Sequence, residues 1–129
     1  MTTAILIDTH FILWLRTRPH SLTFGERGTI ENADFRYVSI VSLWEIAILL
    51  AKRRIPGDEQ LLETPQGFEL LPIRPAHCRV AIGLPQHHGD PFDRMLIAQA
   101  QSERLPLLTR DRAIAAYSGH ATILRYPEP

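Results

Sequence analysis

Ala4-Ile5-Leu6-Ile7-Asp8-Thr9-His10-Phe11 is four apolar residues, an acid, and the start of a stretch in which Phe11, Trp14 and Leu15 recur at helical spacing. Four residues are too few for a helix, so the run predicts a short buried strand that feeds a helix at Asp8. The pattern recurs down the chain. Residues 37–41 are rich in β-formers and end at Ser42, residues 70–73 and 105–108 are short apolar runs, and 122–125 is a fifth candidate. Helical stretches at 23–32, 43–54, 75–83 and 91–103 separate them, with a short one after Arg112. Lys52, Arg53 and Arg54 close the helix 43–54, and Pro56-Gly57 is expected to stop it. Short strands alternating with helices predict an α/β fold: a three-layer sandwich with a mainly parallel central sheet.

The chain has 129 residues, 45% of them hydrophobic, enough for one domain spanning 1–129 with a real core. Its longest wholly apolar run, 46–51, is far short of a membrane span, and no secretory leader opens the sequence; the expected location is the cytoplasm, with no membrane partner. The one cysteine, Cys78, excludes an internal disulfide and a Cys-rich zinc site, and reads as a small packing residue. Lys+Arg and Asp+Glu both number 14, which argues against binding nucleic acid through bulk positive charge. Lys52 is the only lysine, however, and arginine suits local, bidentate phosphate recognition.

In a parallel sheet, ligands bind beyond the carboxyl ends of the strands. Asp8, Glu45, Asp90, Asp93 and Asp111 all fall close behind a strand or at the start of a helix. Each has a local reading as a helix cap: Ser42 with Glu45 and Asp90 with Asp93 as capping boxes, Asp8 and Asp111 as plain N-caps. Taken together these readings weaken. Two carboxylates about 4 Å apart repel by roughly 4 kcal/mol at an effective dielectric near 20, whereas a helix N-terminus returns about 0.3–1 kcal/mol per anion. Acids converging on one edge must protonate or hold a cation. Oxygen-only ligands select a hard ion, Mg²⁺ or Mn²⁺, and such an ion suits phosphodiester cleavage.

Leu6-Ile7-Asp8-Thr9-His10, Ser42-Leu43-Trp44-Glu45-Ile46, Asp90-Pro91-Phe92-Asp93-Arg94-Met95-Leu96-Ile97-Ala98-Gln99-Ala100 and Leu108-Thr109-Arg110-Asp111 resemble the successive motifs of PIN-domain ribonucleases, above all the VapC-type toxins of toxin–antitoxin pairs. The resemblance covers nearly the whole chain in the right order. It implies a Mg²⁺- or Mn²⁺-dependent endoribonuclease that hydrolyses RNA with a metal-activated water, leaving a 5′-phosphate and a 3′-hydroxyl. Asp8, Glu45 and Asp93 would be the acidic metal-site residues, with Asp111 a fourth acid of the catalytic and metal set. Thr109 would orient the site and Asp90 fix the helix start beside it. The resemblance also implies a homodimer, a cognate antitoxin and an RNA substrate. His10 stands where many members of the family carry asparagine or serine, which leaves its role open.

RNA approaching an acidic pocket needs cations at its rim, and Arg94, Arg110 and Arg112 are the nearest in sequence; the other reading makes them surface residues or ion-pair partners of the acids. Adjacent His87 and His88 are not expected to meet one ion from the same face, so no zinc site is assigned to them. Trp14 and Trp44 lie in apolar helices and read as core or dimer packing rather than base-stacking platforms. The apolar helix from Leu43 and the stripe of Phe11, Trp14 and Leu15 are where protein contacts are expected. Two other functions fit part of the pattern. A haloacid-dehalogenase-like phosphatase also opens with an aspartate after a first strand, but wants a second acid where His10 stands. A catalytically silent PIN-like module binding antitoxin or RNA would not need acids at every motif position.

Overall fold

The protein is described by a computed structural model over residues 2–126. Alternation along β1 (Ala4–Ile7) defines its two cores: Ile5 and Ile7 enter one apolar cluster and Leu6 the other. Strands β2 (Phe35–Ser39), β3 (Glu69–Leu71), β4 (Leu107–Leu108) and β5 (Ile123–Leu124) complete a five-stranded sheet in the order β3-β2-β1-β4-β5. Every pairing is parallel, with Leu6 opposite both Tyr37 and Leu107. The α/β three-layer sandwich is therefore present, and its sheet is wholly rather than mainly parallel across the described strands.

Connection handedness explains the layers. From β1 the chain steps one way to β2 and β3, then returns past β1 to β4 and β5. Right-handed crossovers in opposite directions put their helices on opposite faces. Accordingly α1 (Thr9–Thr17), α2 (Phe24–Asn32) and α3 (Ile40–Ala51) contribute Phe11, Ile12, Ile30, Leu43 and Ile46 to the Ile5/Ile7 side. On the Leu6 side, α4 (Pro75–Gly83), α5 (Pro91–Glu103) and α6 (Arg112–Ala115) contribute Val80, Leu96, Ile97 and Ile114. The reversal of direction falls between β1 and β4, and it opens a crevice at their carboxyl ends.

Three departures from the sequence reading matter. The second strand ends at Ser39, and α3 starts three residues before Leu43. Ser39, not Ser42, is its N-cap: the Ser39 hydroxyl accepts from the Val41 N–H at 3.0 Å and donates to Gln99 Oε1. The same helix stops before Pro56-Gly57 is reached. Arg53 takes a left-handed conformation (φ 53°), while Arg53 N–H donates to Leu50 O and Arg54 N–H to Leu49 O at 2.9 Å, a Schellman closure made without glycine. Finally, Cys78 is exposed on α4, so it is no packing residue.

Candidate active site

Asp8 is the first residue beyond β1. Its N–H donates to Leu108 O of β4, which pins the backbone at the crevice. One side-chain oxygen caps α1 by accepting the Phe11 N–H at 3.2 Å, and the other accepts from the Thr109 hydroxyl. Thr109 Oγ1 in turn accepts the Asp111 N–H at 3.0 Å, so the residue just after β4 supplies a hydroxyl that ties Asp8 to the turn carrying Asp111. Asp8 is only 4% exposed. Asp111 Oδ1 caps α6 through the Ala113 N–H at 2.8 Å. The cap readings of Asp8 and Asp111 thus hold geometrically.

Glu45 differs. With α3 starting at Ile40, Glu45 lies beyond the first turn and has no cap to make; the expected Ser42–Glu45 box is absent because both residues are inside the helix. Its Oε1 instead accepts from the Thr9 hydroxyl at 2.7 Å, and Thr9 Oγ1 sits 3.0 Å from Ser42 Oγ. Asp90 is the N-cap of α5, accepting from the Phe92 and Asp93 N–H groups at 2.8 and 3.2 Å. The expected second capping box is not completed by Asp93, whose Oδ2 meets His88 Nε2 at 2.8 Å.

The electrostatics carry the mark of crowding. Burial pushes the Asp8 carboxyl above its ordinary range; the Thr109 and Phe11 hydrogen bonds and the charge of His10 offset that only in part. Glu45 is also raised, first by burial and then by the charges of Asp93 and Asp90, against the Thr9 hydrogen bond and His10. Asp93 is raised by burial and by Asp90 and Asp111, with His88 working the other way. Glu45 therefore feels Asp90 and Asp93 from 45 and 48 residues away in the chain, and Asp93 feels Asp111. Exposed His10 acts on both Asp8 and Glu45 and lines a cleft with Asp8 and Asp111.

Donor chemistry and spacing fit a small divalent cation. His88, Asp90 and Asp93 bring donor atoms within 4.8 Å of one another, and among the described residues this is the group of three so close. Asp8, Glu45 and Asp111 stand outside that tight trio. A cleft lined by Asp8, His10, Trp14, Arg110 and Asp111 opens beside them.

Of the three rim arginines, two are committed elsewhere. Arg94 donates through both terminal nitrogens to Pro85 O (2.8 Å), Ala81 O and Leu84 O (both 3.1 Å), and to the Tyr117 hydroxyl. Adjacent residues of a helix point about 100° apart, so Asp93 facing the crevice turns Arg94 toward the α4–α5 loop. Arg110 grips both oxygens of inaccessible Glu26 at 2.7 Å, and its guanidinium lies 4.2 Å above the Trp14 ring. Burial would raise Glu26, but Arg110 and the Thr23 N–H outweigh it and hold this carboxyl below its ordinary range. Of the three, Arg112 is the exposed one. Trp14 is half-buried beneath Arg110, as packing predicted, whereas Trp44 is 60% exposed with its ring edge-on to Phe92 and so is not core. The sequence reading gives Thr9 no role of its own, makes Ser42 a cap and sets the adjacent His87 and His88 aside as ligands of one ion; the Ser42–Thr9–Glu45 and His88–Asp93 contacts come only with the fold.

Comparison with known proteins bears on this arrangement. The family model for the PIN domain matches residues 5–119. A curated relative, Ribonuclease VapC22 of Mycobacterium tuberculosis, is 30% identical over 132 residues, covering 98% of this chain and 96% of that protein. Among solved structures, VapBC2 from Rickettsia felis bound to a promoter DNA fragment superposes with a TM-score of 0.74 at 10% identity, over 97% of this chain and 100% of that one. A toxin–antitoxin complex from Klebsiella pneumoniae gives 0.65 at 21% identity, over 97% and 99%. VapBC-5 from Mycobacterium tuberculosis gives 0.65 at 21%, over 96% and 99%. At these identities the structures speak for the fold.

Proposed function

The chain belongs to the PIN-domain family, and from that premise we propose that it is a VapC-type endoribonuclease, the toxin of a toxin–antitoxin pair, dependent on Mg²⁺ or Mn²⁺. What supports this reading is the geometry at the strand ends, where Thr109 ties Asp8 to the turn carrying Asp111 and Asp90 and Asp93 bring donor atoms together with His88, along with the upward push of burial on the carboxyls of Asp8, Glu45 and Asp93. A site that leaves three acids poorly compensated is built for a cation that arrives from outside.

Asp8, Glu45 and Asp93 would hold the ion, with Asp111 beside it. A bound divalent ion supplies Lewis-acid polarisation of the scissile phosphate and a lower pKa for the attacking water. Thr109 and Thr9 hold Asp8 and Glu45 in place through their hydroxyl donors, and Asp90 anchors the helix that presents Asp93. Purified protein is expected to cut single-stranded RNA internally with Mg²⁺ or Mn²⁺ and to stop when a chelator removes the ion. Cleavage that persists at full rate in excess chelator refutes the metal-dependent reading.

Arg112 is the proposed phosphate contact. Replacing it with alanine is expected to weaken RNA binding and to lower the slope of log K against log salt by about 0.7 per lost contact with a single strand. An unchanged slope assigns it to plain surface charge. A cognate antitoxin and a second copy of the chain complete the proposed assembly. Exposed Trp44 and Ile40 on α3, beside Phe92, offer an apolar contact next to the acids that such a protein partner would cover. Among the described residues no helix is long and apolar enough to cross a membrane.

A further inference from the structure

We propose that His88 is a nitrogen ligand of the divalent cation, making this a mixed nitrogen–oxygen site that favours Mn²⁺ over Mg²⁺ more strongly than its acids alone would. The assignment rests on the metal-dependent reading above and extends its ligand set beyond carboxylates.

Geometry comes first. His88 Nε2 lies 2.8 Å from Asp93 Oδ2, and the donor atoms of His88, Asp90 and Asp93 all lie within 4.8 Å of one another. Neighbouring ligands of an octahedral ion with bonds near 2.0–2.1 Å stand about 3 Å apart. An ion thus replaces the His88–Asp93 hydrogen bond with little side-chain movement.

The presentation of the imidazole is also built. The loop joining α4 to α5 is held from beneath by two side chains reaching its backbone. Buried Tyr117 accepts the His88 N–H at 2.9 Å and donates to Pro85 O at 2.8 Å. Arg94 holds Pro85 O, Leu84 O and Ala81 O. His87 turns the other way, its ring 5.1 Å from that of Tyr117, so His88 alone of the pair faces the acids. This separation of the two histidines is why adjacency in sequence is no bar to one of them being a ligand.

Ligand type then sets selectivity. Carboxylates suit Mg²⁺ and Mn²⁺ alike, whereas an imidazole favours first-row transition ions over Mg²⁺.

The test is ion binding to the full chain, measured by calorimetry for Mn²⁺ and Mg²⁺, together with pulsed electron paramagnetic resonance of the Mn²⁺-loaded protein. We expect ¹⁴N coupling to Mn²⁺ in the parent, its loss in His88→Asn, and its retention in His10→Asn. We also expect His88→Asn to weaken Mn²⁺ binding about tenfold or more while Mg²⁺ binding changes less. Mn²⁺ bound without ¹⁴N coupling, or an unchanged Mn²⁺/Mg²⁺ ratio in His88→Asn, overturns the assignment while leaving a carboxylate site standing. Failure of the parent to bind either ion overturns the metal-dependent reading along with it. Should His88→Asn not fold, the spectrum of the parent against His10→Asn decides the matter.

Discussion

Asp8→Asn is expected to reduce RNA cleavage at least about 100-fold while the metal-free protein melts at the same temperature or higher. Loss of activity follows if Asp8 is the anionic ligand proposed above, in a site whose chemistry is electrostatic. The stability half follows from the carboxylate's position. Asp8 is almost inaccessible, and its hydrogen bonds do not make up for the water it has lost. Asparagine keeps an oxygen for the Phe11 N–H and caps a helix as well as aspartate does. It no longer carries a charge that burial penalises. Activity assays with Mn²⁺ or Mg²⁺ and thermal melts in chelator measure the two halves. Parental activity in Asp8→Asn sinks the proposed nuclease site, and a large drop in metal-free melting temperature shows that Asp8 serves the fold first.

The second large effect is the response to pH and metal. A carboxyl raised in the folded state binds more protons folded than unfolded, so its contribution to stability falls as pH climbs from its ordinary value toward its folded one. For Asp93 the ordinary value is 3.8, and burial with Asp90 and Asp111 raises it. Glu26 acts in the opposite sense, since Arg110 lowers it and its contribution is lost as pH falls through its folded value. The two are separated by comparison with Asp93→Asn. Below pH about 4 the metal-free parent and Asp93→Asn are expected to melt together. Toward pH 7 the variant is expected to melt higher. A divalent ion at 100 times its Kd then stabilises the parent by about 2.7 kcal/mol, or roughly 10 °C in melting temperature for a chain of this size, and moves Asp93→Asn much less. Melting temperatures in chelator and in saturating ion, taken across this pH range, measure both. Identical pH profiles for the two proteins, with no metal shift in the parent, contradict the crowded site.

Much of the fold was legible because its punctuation is local. Pro75 and Asp90-Pro91 mark helix starts that the structure keeps. Buried strands announced themselves as short apolar runs, although most are trimmed to two or three ladder residues. The start of α3 was not legible, since Ser39 and Ser42 are both acceptable caps. What separates them is the buried partner Gln99, 60 residues away. The acids stood out by type and by their place behind strands. The roles of the arginines did not, because sequence adjacency says nothing about which way a helix turns a side chain: Arg94 follows Asp93 yet serves the loop beneath His88. Glu45 looked like a cap and is held by Thr9, a contact spanning 36 residues.

The hydrogen bond from Thr109 to Asp8 joins residues 101 positions apart, just beyond the ends of the paired strands β1 and β4. A ribosome adding about 5–20 residues per second needs roughly 5–20 s between making the first and the second. Throughout that interval the nascent chain holds Asp8 with neither its hydroxyl donor nor the complete β4 beside it. An enzyme of the proposed kind would thus be disarmed while still being translated, its cutting edge closing only after nearly the whole polypeptide has been made.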